Sequence, residues 1–473
     1  MTLLTTLLGA CAGRDAGTPE GGAEQAEDRP NFLVIDLDSL RADRWLAERA
    51  GEPIAPNLTA LAARGVVFEQ AISQSAWTMP ALESLLSGHW PVALGEQEGN
   101  LWWLPDGAQT LPTLLALYGY HTVYWGGSTL AADEGPRLGF AESLPRPAGD
   151  RHQPGDAMAA WLRDQAEEPF FAYLHDADLH MPDLFADATS TCRWAPYPEI
   201  CAQGGPASPP RAFGRAKDAL GWQAGLEEAR AEYDGVITAY DLGVPALLGA
   251  LAERGLADRT VVIVVSDHGE DLGEHGLFDH GAHFDTILRI PLLIMDPRPG
   301  APGPGRVAEQ VQAMDLAPTV LALASVPADT TMDGTSLVPL LRGEPWGGGE
   351  RIAFSLSDRR TASARTPAWK VVHSPIPHPP ARADPHHTSS DQIEAFDLAS
   401  DPLEHRNQYR PVGTCAELEA ALTDWLAQRV ALASSTPGEA QDDPALRERL
   451  QRDGYWKHVE RDRDAGDPAP RSP

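Results

Sequence analysis

Two hydrophobic rhythms alternate along the chain. Short, nearly unbroken apolar runs stand at Asn31–Ile35, Thr122–Trp125, Phe170–Leu174 and Val261–Val265. Runs of this kind predict strands buried on both faces, as in a parallel sheet covered by helices. Between them, Leu58–Arg64, Leu111–Tyr118 and Tyr233–Arg254 predict helices. The alternation predicts an α/β fold with a large, mostly parallel central sheet flanked by helices. Gly- and Pro-rich breaks fall at 205–210, 301–305 and 343–349, the last being the expected domain junction. Beyond it, Ile352–Leu356, Trp369–His373 and Ile393–Asp397 predict a small antiparallel sheet, covered by a helix from Cys415 to about Ala431. The expected division is a main domain at 30–345, a C-terminal subdomain at 350–456 and an acidic, Pro-rich disordered tail at 457–473.

Chemistry gathers where two of these strands end. Val261–Val265 runs into Ser266, Asp267, His268 and Gly269. Open α/β sheets hold their ligands at such carboxyl ends, and Asp with His makes a pair of donors for a divalent metal. Asn31–Ile35 runs into Asp36-Leu37-Asp38-Ser39, and alternation puts Asp36 and Asp38 on one face. Two carboxylates so placed call for a cation, although Asp38 or Ser39 is also suited to cap a helix. A further His-Gly pair follows at His280-Gly281.

Net charge narrows the partners. At −31 over 473 residues, the chain would be repelled by nucleic acid. The opening MTLLTTLLGAC resembles a lipoprotein-type signal at 1–11, with Cys11 the lipidated residue and 12–29 a flexible tether. The expected location is therefore extracytoplasmic, with a lipid anchor to a bacterial membrane at the periplasm or cell surface. No other segment approaches the roughly 20 apolar residues of a membrane span. In an oxidising compartment Cys192 and Cys201 are placed to pair, leaving Cys415 in the late helix.

Taken in order, RPNFLVIDLDSLRAD, APNLTALAARGVVF, WTMPALESLLSGHWP, TLPTLLALYGYHTV, FFAYLHDADLHMP, VSDHGEDLGEHG, DHGAHFDTILRIPLL, MDLAPTVLAL, DGTSLVPLL and AFDLASDPLEHRN resemble the sulfatase family of the alkaline phosphatase superfamily. The matching stretches extend from Arg29 to about Tyr455. The resemblance implies a metal-dependent hydrolase of anionic sulfuric or phosphoric esters. It also brings out a departure. Type I sulfatases carry a C-x-P-x-R motif whose Cys becomes formylglycine; here the aligned residues are Thr78 and, for the Arg, Leu82. No formylglycine forms by that route, and Thr78 is the candidate nucleophile, as in superfamily members that cleave phosphate esters. Pro80 suits the first helical position there and Gly88 the exit; the bland reading of Thr78 is a helix cap.

The resemblance implies that Asp38, Asp267, His268 and Thr78 ligate the metal, with Asp36 or Ser39 as further candidates. Calcium-bound sulfatases have Asp where this chain has Ser39 and Asn where it has His268, so one zinc or manganese ion is expected instead. His180 matches the family's D-P-H segment and His280 its Lys or His beside the leaving group; both are candidate proton donors. Asp176 with His180 and His280 also resembles the ligand set of two-metal phosphodiesterases. A phosphoryl transferase and a non-catalytic surface lipoprotein are the remaining alternatives.

Overall fold

The computed structural model describes residues 29–91, 104, 108–126, 134–144, 154–177, 179, 188–204, 209–278, 280–328, 331–347, 351–357, 361–374 and 393–433. Cys11, residues 12–28 of the tether, His180 and the C-terminal tail lie outside the described residues.

The strands in chain order are β1 (Asn31–Leu37), the short pair β2 (Glu48–Arg49) and β3 (Glu52–Pro53), β4 (Val66–Ile72), β5 (His121–Gly126), β6 (Glu142–Ser143) and β7 (Phe170–Asp176). They continue with β8 (Thr260–Val265), β9 (Arg289–Ile290), β10 (Leu292–Met295) and β11 (Gly305–Gln312). A central nine-stranded sheet runs β11-β4-β10-β8-β1-β7-β5-β6, with β9 also pairing β4. Within it β1 is parallel to β7 and β8, whereas β10 runs antiparallel to β8 and β4. The sheet is thus mixed, with a parallel centre, as expected for the strands that read as continuous apolar runs.

Alternation along β1, β7 and β8 sorts their side chains into two cores. Phe32, Val34, Phe171, Tyr173, Ile263 and Val265 face one side. Leu33, Ile35, Leu37, Leu174, Val262 and Val264 face the other. The first side is covered by the helix Thr78–Ser87, through Met79, Leu82, Leu85 and Leu86. The second is covered by Pro56–Ala62 (α1), Pro154–Asp164 and the pair Trp222–Asp241 and Val244–Glu253.

That last pair corrects the single helix expected over Tyr233–Arg254. The helix starts eleven residues earlier, at Trp222, and breaks at Leu242-Gly243. Pro245 has no N–H to give the Asp241 carbonyl, and Asn57 Nδ2 donates to that carbonyl instead, at 3.0 Å. By length and composition the stretch is also apolar enough to cross a membrane, contrary to the sequence reading, but most of its apolar window is buried inside the fold.

The C-terminal sheet has four antiparallel strands: β12 (Ala353–Leu356), β13 (Ala362–Arg365), β14 (Trp369–His373) and β15 (Ile393–Asp397). Sequence patterning misses β13, because Ala-Ser-Ala-Arg has little of the bulk that marks a strand. Its small side chains let the Thr414–Ala433 helix pack closely, through Cys415, Leu418, Leu422 and Trp425.

A buried ion cluster fastens this sheet to the central domain. Asp285 accepts from Arg365 Nη2 of β13 at 2.8 Å and from Lys370 Nζ of β14 at 2.7 Å, while Lys370 also meets Glu404 at 2.5 Å. Burial works to raise the Asp285 carboxyl, but the charges of Arg365 and Lys370 win and hold it well below the usual carboxylate range. A group depressed in this way stabilises the fold above its unfolded pKa of about 4 and loses that contribution as pH falls below it. Asp285→Asn is expected to cost on the order of 3–5 kcal/mol near neutrality, since it leaves two buried cations short of a partner. Urea unfolding should show the gap between wild type and variant narrowing as pH falls from about 5 to 3. A gap that stays constant over that range would remove Asp285 as the source.

Candidate active site

The site is built by strand register. Val265 of β8 and His175 of β7 both lie level with Asp36 of β1. Two residues further on, Asp38 and Asp267 come level on the same face, so three carboxylates and an imidazole share one crevice at the carboxyl ends of the strands. All are buried: Asp36, His175 and Asp267 at 0 % exposure and Asp38 at 2 %. Ligand atoms of Asp38, His175 and Asp267 lie within 4.8 Å of one another, and His175 Nε2 is 3.8 Å from Asp38 Oδ2.

His268 completes the group. Its Nε2 is 3.5 Å from both Asp38 Oδ1 and Asp267 Oδ2. Its Nδ1 lies 2.9 Å from the Gly269 carbonyl, which can only accept, so the proton sits on Nδ1 and the lone pair on Nε2. Burial pushes the imidazole pKa down to about 4, keeping the ring neutral. The same Nε2 is 3.2 Å from Thr78 Oγ1.

Thr78 reaches this point because Thr78–Ser87 (α2) packs on the sheet with its first turn at the crevice. The N-cap is Trp77, without a side-chain cap bond, so Thr78 is the first helical residue rather than the cap. Pro80 is accordingly third, not first, while Gly88 closes the helix in the left-handed conformation at φ 75°. Leu82, aligned with the family's Arg, points into the apolar core at 0 % exposure. The approach to Thr78 is fixed from the C-terminal sheet. Ser355 Oγ donates to the Ser73 carbonyl at 2.6 Å, Leu356 N to Gln74 at 2.9 Å, and Ala76 N to Ser357 Oγ at 3.3 Å.

The remaining candidates separate into supports and outliers. Ser39 adopts φ 65°, a strained conformation for a residue with a Cβ. It points its N–H at Asp267 Oδ1 (3.3 Å) and its hydroxyl at Asp38 Oδ1 (3.0 Å), holding two carboxylates in place. Asp36 accepts from Tyr173 Oη at 2.6 Å, behind Asp38. Asp176 follows His175 in β7 and so takes the face of Leu174, away from the cluster. Of the suggested two-metal set, Asp176 thus lies off the face that carries Asp36 and His175, and His180 lies outside the described residues. His280 stacks on His268 with ring centres 4.6 Å apart, and its Nδ1 is 3.7 Å from Glu270 Oε2.

Sequence reasoning passed over His175 and Glu270. Ending β7 at Leu174 hid the former; extending it two residues, to Asp176, turns His175 inward beside Asp36.

The residues fit a divalent cation. Asp36 Oδ1 and Asp267 Oδ2 are buried without a hydrogen-bond donor. Burial, and the nearby Asp267 charge, raise the Asp36 and Asp38 carboxyls well above their ordinary range. Carboxylates crowded in this way are relieved by positive charge, and imidazole nitrogens among them complete a metal's donor set.

Comparison with known proteins agrees with this architecture. The family model described as Sulfatase matches residues 30–326. The chain is 24 % identical over 461 residues to the Delta 4,5-hexuronate-2-O-sulfatase of Bacteroides thetaiotaomicron, covering 86 % of this chain and 90 % of that protein. Among solved structures it resembles a 2-O GAG sulfatase, with TM-score 0.65 and 22 % identity over 88 % of this chain and 96 % of the other. It also resembles the phosphonate monoester hydrolase of Agrobacterium radiobacter, with TM-score 0.59 and 21 % identity over 87 % and 97 %. With the family model covering more than half of its length, the chain belongs to the sulfatase family of ester hydrolases.

Proposed function

We propose that the protein hydrolyses anionic phosphodiesters, phosphonate monoesters or related sulfuric esters through a Thr78 nucleophile, in a branch of the family with Thr in place of the formylglycine cysteine. One observation carries this reading: Thr78 Oγ1 stands 3.2 Å from a neutral imidazole that also borders Asp38 and Asp267. Asp38, Asp267, His268 and Thr78 would hold a divalent cation, with His175 close to the same carboxylates, and imidazole among the donors favours zinc or manganese over calcium. When bound, that ion supplies positive charge that favours the ionised hydroxyl and offsets the charge of the ester.

The rest is the work of the chain. The first turn of α2 fixes Thr78, and its leading N–H groups favour an anion there. The Thr78 hydroxyl gives up its proton to solvent and its oxygen attacks phosphorus or sulfur, forming the Thr–ester bond as the bond to the leaving oxygen breaks. His280, half-buried beside Glu270, is placed to give that oxygen its proton. Water then attacks the same centre and restores the Thr78 hydroxyl. Sulfate is the poorest fit, because a formylglycine hydrate ejects sulfate by collapse to the aldehyde and a Thr ester has no such route. A core leucine at 82 also leaves the pocket without the Arg that would hold a fully charged anion.

Elemental analysis should find zinc or manganese, and Asp267→Ala or His268→Ala should lose it; metal retained in both variants would refute the donor set. Thr78→Ala is expected to lower kcat by on the order of 10⁴-fold or more with the fold intact, and Thr78→Ser to keep part of the activity. Full activity in the Ala variant would reduce Thr78 to a structural role. On matched p-nitrophenyl esters with zinc or manganese supplied, kcat/KM should be higher for the phosphodiester than for the sulfate. The opposite order would reject the Thr-ester route.

A further inference from the structure

The Trp222–Asp241 helix carries a second acidic pair, Glu228 and Glu232, one turn apart and buried at 0 % and 1 % exposure. Each carboxylate spends one oxygen on the protein. Glu228 Oε2 accepts the Tyr197 N–H at 3.1 Å, and Glu232 Oε1 accepts from Arg215 Nη2 at 2.6 Å. The other two, Glu228 Oε1 and Glu232 Oε2, are buried and receive no hydrogen bond. A carboxylate oxygen of each lies within 4.8 Å of the other and of Cys201 Sγ. Cys201 is buried and is disulfide-bonded to the half-buried Cys192.

Ionised carboxylates only accept, so two of them buried side by side need a proton or a cation between them. In the disulfide form a proton answers, and burial lifts the Glu232 carboxyl to about 7. Bonded sulfur is a poor ligand. Thiolate is a strong one, and two thiolates with two carboxylates make the four-donor set of a closed zinc site.

We propose that reducing the Cys192–Cys201 disulfide converts this cluster into a zinc site formed by Cys192, Cys201, Glu228 and Glu232. A dithiol reductant attacks the accessible Cys192 sulfur, Cys201 leaves as thiolate, and the reductant's second thiol closes its own disulfide and frees Cys192. Zinc then displaces the two thiol protons and the proton shared by the glutamates. The cluster shares no residue with the Asp38–His175–Asp267 group, so its metal is counted separately from that of the active site.

The test uses the full chain, oxidised or reduced with a trialkylphosphine, which takes up water oxygen as the disulfide becomes two thiols. Zinc content is read by competition with a chromophoric chelator, and cobalt(II) serves as a spectroscopic probe. The reduced protein should bind one equivalent of zinc more than the oxidised protein. Cobalt should show a thiolate charge-transfer band only after reduction. In Glu228→Gln/Glu232→Gln, thiol titration should still find the two new thiols while the additional equivalent is lost. Cys192→Ser/Cys201→Ser should bind the same amount of zinc under both conditions. Equal zinc in oxidised and reduced wild type would overturn the proposal. So would an additional equivalent that survives the double Gln variant, or a reduced chain that loses its native circular dichroism.

Discussion

Negative charge, buried where β1 and β8 end, is the constraint around which the rest is arranged. Asp36, Asp38 and Asp267 share one crevice that excludes water almost completely. Leaving them mutually repelling would cost more than a domain's marginal stability allows. Each surrounding device lowers that cost. Tyr173 donates to Asp36, Ser39 bends into a left-handed conformation to donate to both other carboxylates, and the positive end of α2 points at the same place. His268 and His175 add nitrogen donors from the neighbouring strands. The strained turn at Ser39 is offset by the two hydrogen bonds it gives to these carboxylates.

The parts of this arrangement that were legible in the sequence are those set by local pattern. Unbroken apolar runs gave β1, β7 and β8, and period-two alternation put Asp36 with Asp38. Elements fixed by tertiary context were not. β13 is a strand because its neighbours and a covering helix make it one, not because Ala-Ser-Ala-Arg prefers extension. His175 was passed over because the apolar run stops at Leu174, whereas the strand continues through two polar residues to Asp176. Family resemblance named the position of Thr78, and packing shows what its company is: Leu82, four residues on, faces the core.

The C-terminal sheet takes part in the chemistry by position. β12 grips the backbone between Ser73 and Ala76, immediately ahead of Thr78. His283 is held in turn by Ser357 and Ser363 at 2.8 and 3.0 Å. His275 pairs with Asp271 and places its other nitrogen 2.8 Å from the Leu403 carbonyl, tying the loop after His268 to the segment that follows β15. Both loops that furnish the candidate site are thus braced from the same side.

Lys370 gives this bracing a chemical handle. The chain has 37 basic residues, yet only Lys217, Lys370 and Lys457 are lysines. In the assembled protein the Lys370 amine is wholly enclosed between Asp285 and Glu404, so an acylating reagent meets it only when the two sheets part. Peptide mapping after timed acylation would therefore report, at a single position, how often the C-terminal sheet lets go of the central domain.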